Sequence, residues 1–129
     1  DARPLATPDY AKVDIEADSR RILRVKKYIS DNYKYELRLK TLADLANMSE
    51  SAFCRFFKLH TGRRLSDYII DIRLGYATRM LIDTTDTISE ISFKCGYNNM
   101  SNFNRIFRRK KGCSPTEFRN SHHKIKVIV

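Results

Sequence analysis

The sequence predicts an all-α protein in which two helix-turn-helix units are joined by a long helix. Three observations predict it. Apolar residues recur at spacings of three and four along most of the chain. Few β-branched runs alternate with period two, so little or no sheet is expected. One stretch of sequence also occurs twice.

The duplication is read residue by residue. Leu39, Leu42, Ala43 and Ala46 match Ile88, Ile91, Ser92 and Cys95 at an offset of 49. One extra residue then enters the second copy. After it Phe53, Arg55, Phe57, Lys58 and Gly62 match Phe103, Arg105, Phe107, Arg108 and Gly112 at an offset of 50, and Tyr68 and Phe118 continue that register. So many matches in one register, with a single insertion, mark two copies of one helical unit.

The elements follow in order. Residues 1–19 contain Pro4 and Pro8 and little periodicity, and read as a linker or N-terminal arm. A domain is expected over residues 20–120. It opens with a helix from Arg20 to Tyr33, where Ile22, Val25, Ile29 and Tyr33 share a face. The first helix-turn-helix covers about 39–60. Its short first helix is followed by the turn Asn47-Met48-Ser49. A linker helix of about 65–83 comes next, with Leu65, Tyr68, Ile69, Ile72, Tyr76 and Met80 along one side. Gly75 interrupts it at a cost of about 1 kcal/mol against Ala; close helix packing is the expected reason, a kink the alternative. The second helix-turn-helix covers about 88–111, with the turn Gly96-Tyr97-Asn98-Asn99. A basic tail, 121–129, closes the chain. A turn of three or four residues between two helices is what the motif requires.

Helix starts are legible too. Ser49 and Asn99 suit N-cap positions. Thr87 with Glu90, and Ser114 with Glu117 behind Pro115, form capping boxes. Arg38 stands where the second copy has Thr87, so the first copy lacks a comparable cap.

Composition narrows the function. The 129 residues are 42% hydrophobic and carry a net charge of +10. They suffice for one compact domain. Residues 1–19 hold five acidic and two basic side chains, so the remaining residues carry +13. Such a charge favours a polyanionic partner, nucleic acid before an anionic membrane. No apolar run is long enough for a membrane span, and no signal segment opens the chain. Cys54, Cys95 and Cys113 are odd in number and lack CxxC spacing, which fits a reducing cytosol. His60, His122 and His123 show no ligand spacing, so neither metal nor cofactor is expected. No phosphate loop, HExxH or GxSxG motif is present, and an enzyme is not expected.

The second helix of each unit holds the candidate binding residues. Phe53, Phe56 and Phe57 in the first, and Met100, Phe103, Ile106 and Phe107 in the second, form the inward stripes. Recognition helices set N-terminal side chains against base edges. Arg donates two hydrogen bonds to guanine, and Asn pairs with adenine. Arg55 and Arg105, at one repeat position, are therefore the expected principal base readers. Ser51, Cys54, Ser101, Asn102 and Asn104 are the supporting candidates, with Cys54 alternatively a packing residue. Lys58, Arg108, Arg109, Lys110 and Lys111 lie further along and are expected on phosphates, together with Ser49 and Asn99 at the helix starts. Glu50 suits the helix dipole and would repel phosphate.

Ala77-Thr78-Arg79-Met80-Leu81, Ile88-Ser89-Glu90-Ile91, Cys95-Gly96-Tyr97, Ser101-Asn102-Phe103-Asn104-Arg105-Ile106-Phe107-Arg108, Gly112, Ser114-Pro115 and Phe118-Arg119 together closely resemble the signature of AraC/XylS-family transcription regulators. Leu45-Ala46-Asn47-Met48-Ser49 and Phe53-Cys54-Arg55-Phe56-Phe57-Lys58 resemble the first helix-turn-helix of that family. The resemblance covers about residues 20–120. It implies a domain of about seven helices that binds double-stranded DNA in two adjacent major grooves, as an activator or repressor in the cytoplasm. It further implies RNA polymerase as protein partner, and in many members a sensor or dimerisation domain on the N-terminal side. Some relatives are fused to a DNA-repair methyltransferase with a zinc-bound cysteine cluster, which this sequence lacks. Ser51 and Cys54 stand where relatives often carry larger side chains, so the second copy is expected to carry more of the binding. The competing reading is a protein-interaction or anionic-surface-binding helical module that does not read sequence. Inward placement of most Phe residues argues against it.

Overall fold

The computed structural model describes residues 8–122, with side-chain environments from Ile15 onward. Among the described residues seven helices follow one another: α1 (Pro8–Asn32), α2 (Leu39–Leu45), α3 (Glu50–Thr61), α4 (Leu65–Asp83), α5 (Ile88–Lys94), α6 (Met100–Lys111) and α7 (Pro115–His122). No strand occurs among the described residues, and none of the described helices is long and apolar enough to cross a membrane. The chain forms two compact units. One takes α1 through Asp31 with Leu37–Leu65; the other takes Asn32–Glu36 and the chain from Ser66.

In the first unit α1 buries Ile22, Val25 and Ile29, α2 buries Leu42 and Ala43, and α3 buries Phe53, Phe56 and Phe57. The Arg24 guanidinium donates to the Leu45 carbonyl (2.9 Å), satisfying an orphan acceptor at the end of α2. The arm expected over 1–19 is helical from Pro8, and only residues 1–7 lie outside the described range. Proline fits a first helical turn, where its missing N–H has no partner to lose. Further along, Asp18 pairs with Arg21 (3.1 Å) and lies 3.6 Å from His60 of α3. At the other end, Ser121 and His122 belong to α7, so the expected tail shortens to residues outside the described range.

In the second unit Leu74, Ala77, Leu81, Ile91, Cys95, Tyr97, Phe103, Ile106 and Phe107 form the core, with Ile70, Tyr76, Met80, Ile88 and Phe118 packed around it. The side of α4 expected to be buried is therefore corrected. Leu65, Tyr68, Ile69, Ile72, Tyr76 and Met80 are only half-buried, while Leu74, Ala77 and Leu81 are fully enclosed. Apolar residues surround this helix on most sides, so spacing alone does not select a face. Two half-buried arginines tie the unit together. Arg73 donates to the carbonyls of Tyr33 and Tyr35 (2.9 Å each) and lies over the Tyr97 ring. Arg119 of α7 donates to Leu81, Thr84 and Asp86 carbonyls at 3.1, 3.2 and 2.6 Å, closing the end of α4.

Two glycines behave oppositely. A Cβ on Gly96 would stand 2.5 Å from the Tyr33 carbonyl oxygen and 2.9 Å from Arg73 Nε, at a φ of +99°. Gly75 is exposed, and a Cβ there would meet nothing within 4 Å, so close packing does not explain it. The helix also runs unbroken through it. Gly96→Ala is accordingly expected to destabilise by about 1–3 kcal/mol or more. Gly75→Ala is expected to stabilise by about 1 kcal/mol. Denaturant unfolding of both variants checks the pair; equal responses would contradict the placement of these residues.

Candidate nucleic-acid interface

Two short helices set up the two that matter. At seven residues each, α2 and α5 make barely two turns. Each ends in the same turn. Met48 N–H donates to Ala43 O and Asn47 N–H to Asp44 O, both at 3.0 Å. In the second copy Tyr97 N–H donates to Ser92 O (3.0 Å) and Gly96 N–H to Phe93 O (3.1 Å). This pair of bonds is the Schellman arrangement, which needs a left-handed residue after the helix. Asn47 (φ 60°) and Gly96 (φ 99°) supply it. Ala43 and Ala46 in one copy, Ser92 and Cys95 in the other, are all buried, so small side chains let the next helix come close.

Each second helix then starts on a side-chain cap. Ser49 Oγ accepts from Ala52 N–H (3.2 Å) and Asn99 Oδ1 from Asn102 N–H (2.9 Å). Both helices end on a left-handed glycine, Gly62 (φ 75°) and Gly112 (φ 79°), whose N–H bonds to Lys58 O and Arg108 O. The Thr87–Glu90 and Ser114–Glu117 capping boxes are both formed, and Arg38 makes no side-chain cap.

The inward stripes of α3 and α6 are fully enclosed at Phe53, Phe57, Phe103 and Phe107. Met100 departs from expectation: it is 46% exposed at the first position of α6, ahead of the buried stripe. On the outer side of α3, Ser51, Cys54, Arg55 and Lys58 are exposed. Cys54 is thus surface and not packing. On α6, Ser101, Arg105, Arg108, Arg109 and Lys111 are exposed, and Asn102 and Asn104 are half-buried. Arg105 donates through Nη2 to Asn102 Oδ1 one turn back. Ser49 and Asn99 have their side chains committed to capping, so what they offer an anion is the helix N-terminus behind them.

Two basic residues of α6 are already engaged. Lys110 Nζ stands 3.8 Å from Asp67 and 3.9 Å from Asp71, both on α4. Arg108 lies 3.6 Å from Glu117, whose carboxylate also accepts the Ser114 N–H (2.8 Å). That backbone hydrogen bond holds the Glu117 carboxyl below its ordinary range. Its place on the helix groups Lys110 with the phosphate contacts, but the carboxylates on α4 lie more than 35 residues away in sequence, beyond what local spacing reveals. Burial raises the Cys95 thiol to about 11, so it stays protonated. His60 stands beside Phe56 and Asp18. No group of acidic, His and Cys side chains among the described residues could hold a metal ion.

The profile of the helix-turn-helix domain family matches residues 42–121. The chain is similar to the HTH-type transcriptional activator RhaS of Enterobacter sp. (strain 638), 29% identical over 105 residues, covering 81% of this chain and 38% of RhaS. It also resembles the DNA-binding domain of AdpA, a global transcriptional factor whose crystal structure is in complex with a target DNA. The TM-score is 0.76 at 26% identity, covering 81% of this chain and 95% of that one. A Chromobacterium violaceum transcriptional regulator described as AraC-type shares the fold, with a TM-score of 0.74 at 23% identity, covering 82% and 95%. The chain spans about two fifths of the length of the curated relatives first matched.

Two expectations come from this electrostatic layout. The Glu117 carboxyl is depressed in the folded state. Its contribution is therefore present above the ordinary value of 4.5 and lost as pH falls through the folded value. Glu117→Gln should flatten the acid limb of a stability-against-pH curve. Lys111→Ala should weaken binding of duplex DNA more than Lys110→Ala, because Lys110 is neutralised locally; equal losses in a binding titration would contradict that.

Proposed function

The chain belongs to the AraC-type helix-turn-helix family, and from that membership we propose that it is the sequence-specific DNA-binding part of a transcription regulator, with α3 and α6 entering two adjacent major grooves. The observation that carries the reading is the duplicated capped helix with an exposed arginine at one repeat position, Arg55 and Arg105. The DNA complex of the AdpA domain supports duplex DNA as the partner.

The chemistry divides between the two sides of each helix. Arg55 and Arg105 present paired N–H donors that match guanine O6 and N7. Ser51, Cys54, Ser101, Asn102 and Asn104 border them. Lys58, Arg109 and Lys111 neutralise phosphates, which releases condensed counterions and supplies affinity without sequence information, while Arg108 and Lys110 contribute less because each already faces carboxylates. The starts of α3 and α6 add backbone N–H groups and positive helix ends to that grip. In the cytoplasm, an intact protein of the relatives' length would place a sensor or dimerisation domain beside this one and RNA polymerase as the partner it recruits.

Binding to a selected duplex is expected to weaken linearly in log affinity against log salt. Arg55→Ala and Arg105→Ala should each lose about 1–3 kcal/mol and relax preference at one base pair. Binding that ignores both salt and sequence, in a quantitative titration of specific against random duplex, would defeat the reading.

A further inference from the structure

The two arginines are not held alike. Arg105 Nη2 donates to Asn102 Oδ1, which lies one turn back on the same face of α6. The Asn102 backbone N–H is independently fixed, since it donates 2.9 Å to the Asn99 cap. Asn102 is half-buried while Arg105 is exposed, so an acceptor on a fixed stretch of backbone restrains a side chain that otherwise samples many rotamers. At the matching place in α3, three residues before Arg55, stands Ala52, which has no side-chain acceptor.

We propose that Asn102 is a positioning residue for Arg105, and that the Asn102–Arg105 pair makes the base pair read by α6 the more stringent of the two arginine-read positions. The inference rests on the reading that Arg105 faces a base. A guanidinium carries five N–H donors, and one bond to Asn102 leaves four, enough for the two acceptors of guanine. Held in one orientation, Arg105 loses less freedom on docking. It also turns less readily toward a neighbouring phosphate or a carbonyl of another base, so wrong base pairs lose more than the right one. Arg55, with Ala52 behind it, keeps those alternatives and discriminates less. Asn102 thereby acts through the arginine, and its amide is not itself matched to adenine.

Selection from a randomised duplex library by the 129-residue chain tests this. Arg105→Ala first identifies the base pair that Arg105 reads. Asn102→Ala is then expected to lower discrimination at that same pair about threefold to tenfold, the ratio equivalent to one ordinary hydrogen bond. Preference elsewhere and the salt slope should stay unchanged. Asn102→Asp keeps the acceptor oxygen and loses the amide donor. It should retain discrimination at the Arg105 pair even as phosphate repulsion lowers affinity for all sequences. Ala52→Asn should raise discrimination at the Arg55 pair. Because each readout is a ratio between sequences, a general loss of folded protein does not imitate it.

Loss of preference at a different base pair in both Asn102 variants would show that Asn102 reads a base directly and would overturn the proposal. So would unchanged discrimination in Asn102→Ala. Wild-type protein that selects no sequence would remove the DNA-reading premise itself, a separate failure.

Discussion

A seven-residue helix has no stability of its own in water, and everything this protein presents to a partner depends on two such helices being held in place. What holds each is a left-handed residue directly after it. Asn47 and Gly96 reverse the chain, and the two hydrogen bonds closing each turn satisfy carbonyls that a short helix otherwise leaves orphaned. With the turn set, Ser49 and Asn99 fall where a side-chain oxygen can cap the next helix. The buried Phe pairs then fix which side of α3 and α6 is outward. Arg55 and Arg105 are exposed as a consequence of that sequence of constraints.

The two copies solve the same problem with unequal means. The second has a reciprocal capping box before α5, a crowded glycine in the turn and a basic last turn on α6. The first begins α2 on Arg38 without a side-chain cap, and Arg24 of α1 bonds the carbonyl at the far end of the same helix. The second unit also spends positive charge internally: Lys110 faces Asp67 and Asp71, and Arg73 and Arg119 hold carbonyls. Net charge therefore overstates how much of this surface is available to a polyanion.

Local signals made the helix pairs legible in the sequence. Caps, turn residues and Phe spacing act within four residues, and duplication let each copy check the other. Part of what sequence missed acts over longer distances. The buried face of α4 was misjudged because apolar residues nearly encircle it. Gly75 looked like a packing residue, yet its surroundings are open. Met100 continued an apolar spacing but precedes the buried part of its helix. Pro8 suggested a linker, although proline is equally at home at a helix start. The restraint of Arg105 by Asn102 had a trace in the sequence, an Asn three residues before an Arg, but spacing alone does not distinguish a base reader from a support.

The central claim is that both units of this chain read DNA at once. Hydroxyl-radical footprinting on a selected duplex tests it most directly. Two protected patches are expected on one face of the helix, about 10–10.5 base pairs apart and without palindromic symmetry between them. A single protected patch, unchanged when Arg55 is replaced by Ala, would contradict it.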